Sequence, residues 1–127
     1  MKKLLLVIIV LLVVVGIHNS NEPEKPVVKR EWTVEDSKAY AHDVVQAWAD
    51  NQYLCLEQLW TKESNWRSNA YNKVKVMGKN AGGIPQILGM DPKTPATQQI
   101  ERGFAYILYR YGSPCQALKF HEKKGWY

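Results

Sequence analysis

With 127 residues the chain has room for one small domain and not for several. A hydrophobic fraction of 46%, five Trp and seven Tyr exclude a disordered chain. The formal charge of +5 is unevenly spread: from Glu22 to Trp60 four basic residues face eight acidic ones, and from Thr61 onward eleven Lys or Arg face four acids. A basic half suits an anionic partner such as nucleic acid, a membrane surface or a cell-wall polymer. It equally suits a face kept soluble by its charge.

Met1-Lys2-Lys3 precedes a run from Leu4 to Ile17 that is apolar apart from Gly16. A positive n-region followed by an h-region marks residues 1–17 as a targeting element. Val14 and Gly16 stand where cleavage would fall, yet no A-x-A pattern is present. The run is also short for a membrane span. A cleaved signal peptide and an uncleaved N-terminal anchor therefore both stay open. In either case the domain is extracytoplasmic, secreted or anchored to the cell membrane through residues 4–17, which excludes nucleic acid as its partner. Residues 18–31, with Pro23 and Pro26, read as an extended linker. Residues 32–127 are left as the folded domain.

Export gives the cysteines a role. Cys55 and Cys115 are the only two, and an oxidising compartment favours joining them in a disulfide. No metal site is expected, because His18, His42 and His121 are scattered and lack ligand spacing. Each of the three reads as a surface residue.

Within the domain, Thr33 reads as an N-cap with Glu35 and Asp36 in the first turn, opening a helix to about Ala49. Asp50 or Asn51 is the expected cap of the next helix, which carries Cys55. Residues 67–95 hold four glycines and three prolines, with a short alternation at Lys73-Val74-Lys75-Val76. That pattern predicts a long loop with a small hairpin and a helical turn near Pro85 to Leu88. Thr94-Pro95 then reads as a cap followed by proline at the first helical position. Ile100, Phe104, Ile107, Leu108 and Tyr111 share one helical face, and Gly112 ends the helix. Ser113 and Pro114 start a last helix, with Ala117, Leu118 and His121 or Phe120 inward. Trp126-Tyr127 is expected to pack back on the domain. The class is mainly α, with a long loop or short hairpin forming one wall of a cleft.

The second helix carries the chemistry. Leu56, Leu59, Trp60 and Glu63 fall on one face, so a carboxyl sits at the C-terminal end of an apolar stripe. Lost hydration and the negative helix end both raise its pKa, as a general acid near neutral pH requires. The competing possibility is a helix that ends at Lys62 with Glu63 turned to water.

Three segments in order resemble the motifs of lytic transglycosylases of the lysozyme-like superfamily. They are Glu63-Ser64-Asn65-Trp66, then Asn80-Ala81-Gly82-Gly83-Ile84-Pro85-Gln86, then Ala105-Tyr106-Ile107. Arg110-Tyr111-Gly112-Ser113-Pro114-Cys115 and the terminal Gly125-Trp126-Tyr127 look like the small secreted and phage-encoded actinobacterial members. The resemblance implies an α+β lysozyme-like fold whose cleft lies between the Glu63 helix and the Gly82 loop. It implies that Glu63 is the single acid/base cleaving the MurNAc–GlcNAc bond of peptidoglycan to a 1,6-anhydro product, with no cofactor. By the same carry-over Ser64 and Gln86 bind sugar or orient Glu63, Tyr106 lies against the cleft, and Gly83 belongs to the substrate-binding loop. Trp60 or Trp66 supplies the apolar wall such an acid needs.

The sequence departs from the family pattern in four places. Asn80 replaces the first glycine of the loop motif, Gly82 stands where close relatives carry an aromatic, and Pro85 replaces a common Met. Extra residues within 73–79 lengthen the loop. These differences leave room for a non-catalytic wall-binding or virion structural module of the same fold. Hydrolysis to a reducing sugar is a third, weaker expectation.

Overall fold

The computed structural model describes residues 23–127, so the targeting element expected at 1–17 lies outside the described residues. The chain divides into two units, Met1–Glu31 and Trp32–Tyr127. Of the first, residues 23–31 are exposed and form neither helix nor strand. None of the described helices is long and apolar enough to cross a membrane.

The second unit is mixed: four helices and one small antiparallel sheet. Helix α1 spans Val34–Trp48 and opens on a reciprocal cap. The Thr33 hydroxyl accepts from the Asp36 amide at 3.2 Å, and the Asp36 carboxylate accepts from the Thr33 amide at 2.8 Å. That arrangement satisfies two donors left over at the helix start. Helix α2 spans Tyr53–Ser64, with its N-cap at position 52 rather than at the expected Asp50 or Asn51. Asn51 takes a left-handed φ of 68°, and Gln52 stands at the N-cap without a side-chain capping bond. The Gln52 side chain instead accepts from the Cys115 amide at 3.1 Å.

The glycine-rich segment is more ordered than its composition suggests. Strands β1 (Tyr71–Val76) and β2 (Lys79–Gly82) form a hairpin closed by Met77 and Gly78, both at positive φ. A two-residue turn with left-handed residues matches the twist of its strands. The helical turn expected near Pro85 to Leu88 is absent. Gln86 adopts a φ of 51° and its amide donates back to the Gly83 carbonyl at 3.2 Å. The chain reverses there, and Ile87–Leu88 becomes β3, paired antiparallel with β2.

Helix α3 spans Ala96–Tyr111 and helix α4 spans Pro114–Lys124. Pro95 is the N-cap of α3 rather than its first helical residue, since the Gln99 amide donates to the Pro95 carbonyl at 3.0 Å. For α4 the Ser113 hydroxyl accepts from the Gln116 amide, with Pro114 in the first turn, as its sequence predicts.

The core joins one face of each helix: Ala41 and Val45 from α1, Leu56, Leu59 and Trp60 from α2, Ile100 and Ile107 from α3, and Ala117 from α4. Trp66 and Ile84, from the connecting segments, complete it. A disulfide joins Cys55 to Cys115, near the N-terminal ends of α2 and α4.

Candidate active site

Glu63 occupies the last turn of α2, one step beyond the fully buried Leu59 and Trp60. Helix α2 does not end at Lys62. Ser64 is still helical and buried, and Asn65 closes the helix in the left-handed conformation. Continuing the helix through residue 64 holds Glu63 on the inward stripe, where its side chain is only 15% exposed. Burial pushes its carboxyl from the ordinary 4.5 up to about 7, and no neighbouring carboxylate contributes to that shift. Glu63 is therefore a weak acid that holds much of its proton at neutral pH.

His121 lies against it. The imidazole Nε2 stands 2.9 Å from Glu63 Oε1, and the His121 side chain is 14% exposed. The expectation that all three histidines are surface residues fails here. His121 falls one helical turn beyond Ala117 and Leu118, on the face of α4 that packs toward α2. Burial lowers its pKa below the ordinary 6.5, Lys62 lowers it further, and Glu122 opposes them. Both shifts have burial as their first cause, and both favour the uncharged forms, a protonated Glu63 and a neutral His121.

Aromatic residues from α3 and the C-terminus close the other side. Tyr127 donates to the Pro85 carbonyl at 2.6 Å and accepts from Trp60 Nε1 at 3.0 Å, which fixes the chain end as its sequence predicts. Its phenol is raised well above 10, first by burial and also by Glu63, while the Trp60 bond pulls the other way. Trp126, by contrast, is half exposed. The rings of Tyr106, Tyr111 and Tyr127 stand in mutual contact, with centroids 5.7 to 6.4 Å apart. Tyr106 also accepts from the Arg110 guanidinium at 2.8 Å. The Tyr111 hydroxyl is buried without a well-aligned hydrogen-bond partner. Burial raises its pKa, with Tyr106 and Glu63 adding to the effect and Arg110 opposing it.

The other expected site residues are engaged in building the segment beside Glu63. Ser64 is 3% exposed and donates to the Ile84 carbonyl at 2.7 Å, so it ties α2 to the loop. Gln86 donates from its side-chain amide to the carbonyls of Gly83 at 2.9 Å and Ala70 at 3.2 Å. The Gly83 amide donates to the Ala70 carbonyl at 2.8 Å. Gly83 has a φ of 72°, and a Cβ there would sit 2.4 Å from Gln99 Oε1. Gly82, where the pattern it resembles has an aromatic, has no room for one: a Cβ would lie 2.1 Å from the Met90 carbonyl oxygen.

Gln99 escapes a reading of the sequence, because an exposed glutamine in a helix looks the same as a buried one. It is fully buried on α3. Its oxygen accepts from the Ile84 amide at 2.8 Å, and its nitrogen donates to the Thr94 and Ser68 carbonyls at 2.8 and 3.0 Å. One side chain thus anchors both ends of the loop. Gln99→Leu leaves the buried Ile84 amide without a partner and costs about 3 kcal/mol. Urea unfolding of the variant checks this.

A pocket of about 580 Å³ is lined by His42, Gln46, Asp50, Tyr53 and their neighbours at the α1–α2 junction. Another of about 330 Å³ is lined by Tyr71, Lys79, Asn80, Met90 and Asp91 beside the sheet. Glu63 lines neither. Among the described residues no cluster of His, Cys, Asp and Glu could hold a metal ion. Comparison with protein-family models, with curated proteins and with solved structures finds no match to the chain.

Proposed function

We propose that this chain is a peptidoglycan lytic transglycosylase of lysozyme-like fold, in which Glu63 is the single acid/base. The observation that carries the reading is a carboxyl at the end of an apolar helical stripe, its pKa raised by burial to about 7. The order of the three motifs around it, and the α+β arrangement of four helices and a small sheet, support the reading. Glu63 gives its proton to the glycosidic oxygen as the bond to the MurNAc anomeric carbon breaks. The 6-hydroxyl of the same sugar attacks that carbon and returns its own proton to Glu63. One carboxyl serves both steps and no water is consumed, unlike the two-carboxylate glycosidase scheme. The surplus of Lys and Arg after Thr61 suits an anionic wall polymer.

Digestion of purified peptidoglycan, read by mass spectrometry, tests this. Soluble fragments ending in anhydro-sugar are the expected product. Fragments heavier by one water would assign hydrolysis instead. A second reading, a non-catalytic wall-binding or virion module, is favoured by one observation: at Gly82 the Met90 carbonyl oxygen leaves no room for the aromatic of the pattern the loop resembles. It is distinguished by sedimentation with cell walls without release of fragments.

A further inference from the structure

The Glu63–His121 contact links the C-terminal ends of α2 and α4, and the Cys55–Cys115 disulfide links their N-terminal ends. The two helices therefore lie side by side in the same direction. Their ties are separated by eight residues on α2 and six on α4, about 12 and 9 Å of helix rise. Such a frame leaves little freedom to the two side chains at its far end. Both are mostly shielded from water, at 15% and 14% exposure. An unpaired polar group at such a place is costly, which favours keeping the contact.

We infer that His121 is the positioning residue of Glu63: neutral, it donates its Nε2–H to Oε1 and thereby reserves Oε2 as the oxygen that carries the transferable proton. The inference rests on the reading of Glu63 as an acid/base. Proton accounting is closed without a net transfer to histidine. Oε2–H goes to the glycosidic oxygen, the sugar 6-hydroxyl returns a proton to Oε2, and His121 keeps its hydrogen throughout. Its contribution is to fix the carboxyl orientation and to hydrogen-bond the carboxylate that exists between the two steps.

Protonating His121 gives the pair a second proton and leaves the one on Glu63 in place, with Nε2–H still facing Oε1. The groups that face the pair are Lys62 from α2, Glu122 from α4, Tyr106 and Tyr111 from α3 with Arg110 bonded to Tyr106, and Tyr127 from the chain end.

Two variants and one spectrum test the inference. His121→Ala is expected to lower kcat on peptidoglycan about 30-fold with KM within about twofold. His121→Gln, which keeps an N–H donor, is expected to restore kcat to within about fivefold of wild type. Imidazole 15N resonances of the intact chain at neutral pH are expected to show a protonated Nε2. Wild-type kcat in His121→Ala, a change confined to KM, or a bare Nε2 with the proton on Nδ1 would each overturn it. If His121→Ala does not fold, His121→Gln and the spectrum still decide. Absence of any released fragments from the wild type would instead end the enzymatic reading, while the spectrum would still report on the pair.

Discussion

Glu63→Gln is expected to lower release of anhydro-muropeptides from purified cell walls by about 10²- to 10⁴-fold, with the protein still folded. The amide has nearly the size of the acid and accepts the His121 contact, but it carries no transferable proton. Wild-type activity is expected to fall about tenfold per pH unit above about 7, as Glu63 loses its proton. The same shift has a consequence for stability. The carboxyl titrates near 4.5 in the unfolded chain and near 7 in the folded one, so between those values the folded state binds the extra proton. The contribution is fully present below about 4.5 and is lost as pH rises through about 7. Glu63→Gln removes this slope, so its melting temperature gains on wild type as pH rises from 5 to 8. Thermal scans across that range, run beside the digestion assay, separate a catalytic defect from a folding one.

Removing the disulfide with Cys55→Ala and Cys115→Ala together is expected to cost about 4 kcal/mol, because the bridge closes a long loop, its ends separated by 60 positions. For a domain of this size that lowers the melting temperature by about 15 °C or more. The bridge joins two helices that each give only a few residues to a small core, Leu56, Leu59 and Trp60 from one and Ala117 and Leu118 from the other. Its loss also loosens the frame that brings His121 to Glu63, so activity at moderate temperature falls with it. Melting curves with and without reductant check the first effect. An unchanged midpoint would show that α2 and α4 hold together without the bridge.

What the sequence discloses depends on how local the signal is. The α2 stripe of Leu56, Leu59, Trp60 and Glu63, the α3 stripe ending at Gly112, and the Ser113-Pro114 start of α4 are set by neighbours within a turn or two. All appear where the helical period puts them. The cysteine pair is legible because there are only two cysteines to join. By contrast β3 is two residues long and follows a reversal at Gln86, which no residue preference favours. His121 reaches Glu63 across two helices, and no spacing along the chain announces such a contact. Gln99 and Ser64 belong to motifs or helices that suggest solvent or substrate, while the structure commits them to backbone groups of the loop. At Gly82 the Met90 carbonyl already fills the space of a side chain, a contact between residues that nothing along the sequence announces.

Every functional statement above depends on the protonation of one carboxyl. Carbon-detected NMR of the folded chain can follow the Glu63 side-chain carboxyl through a pH titration, with Glu63→Gln identifying its signal. The account predicts a midpoint near 7. A midpoint near 4.5, the ordinary value for glutamate, would contradict it.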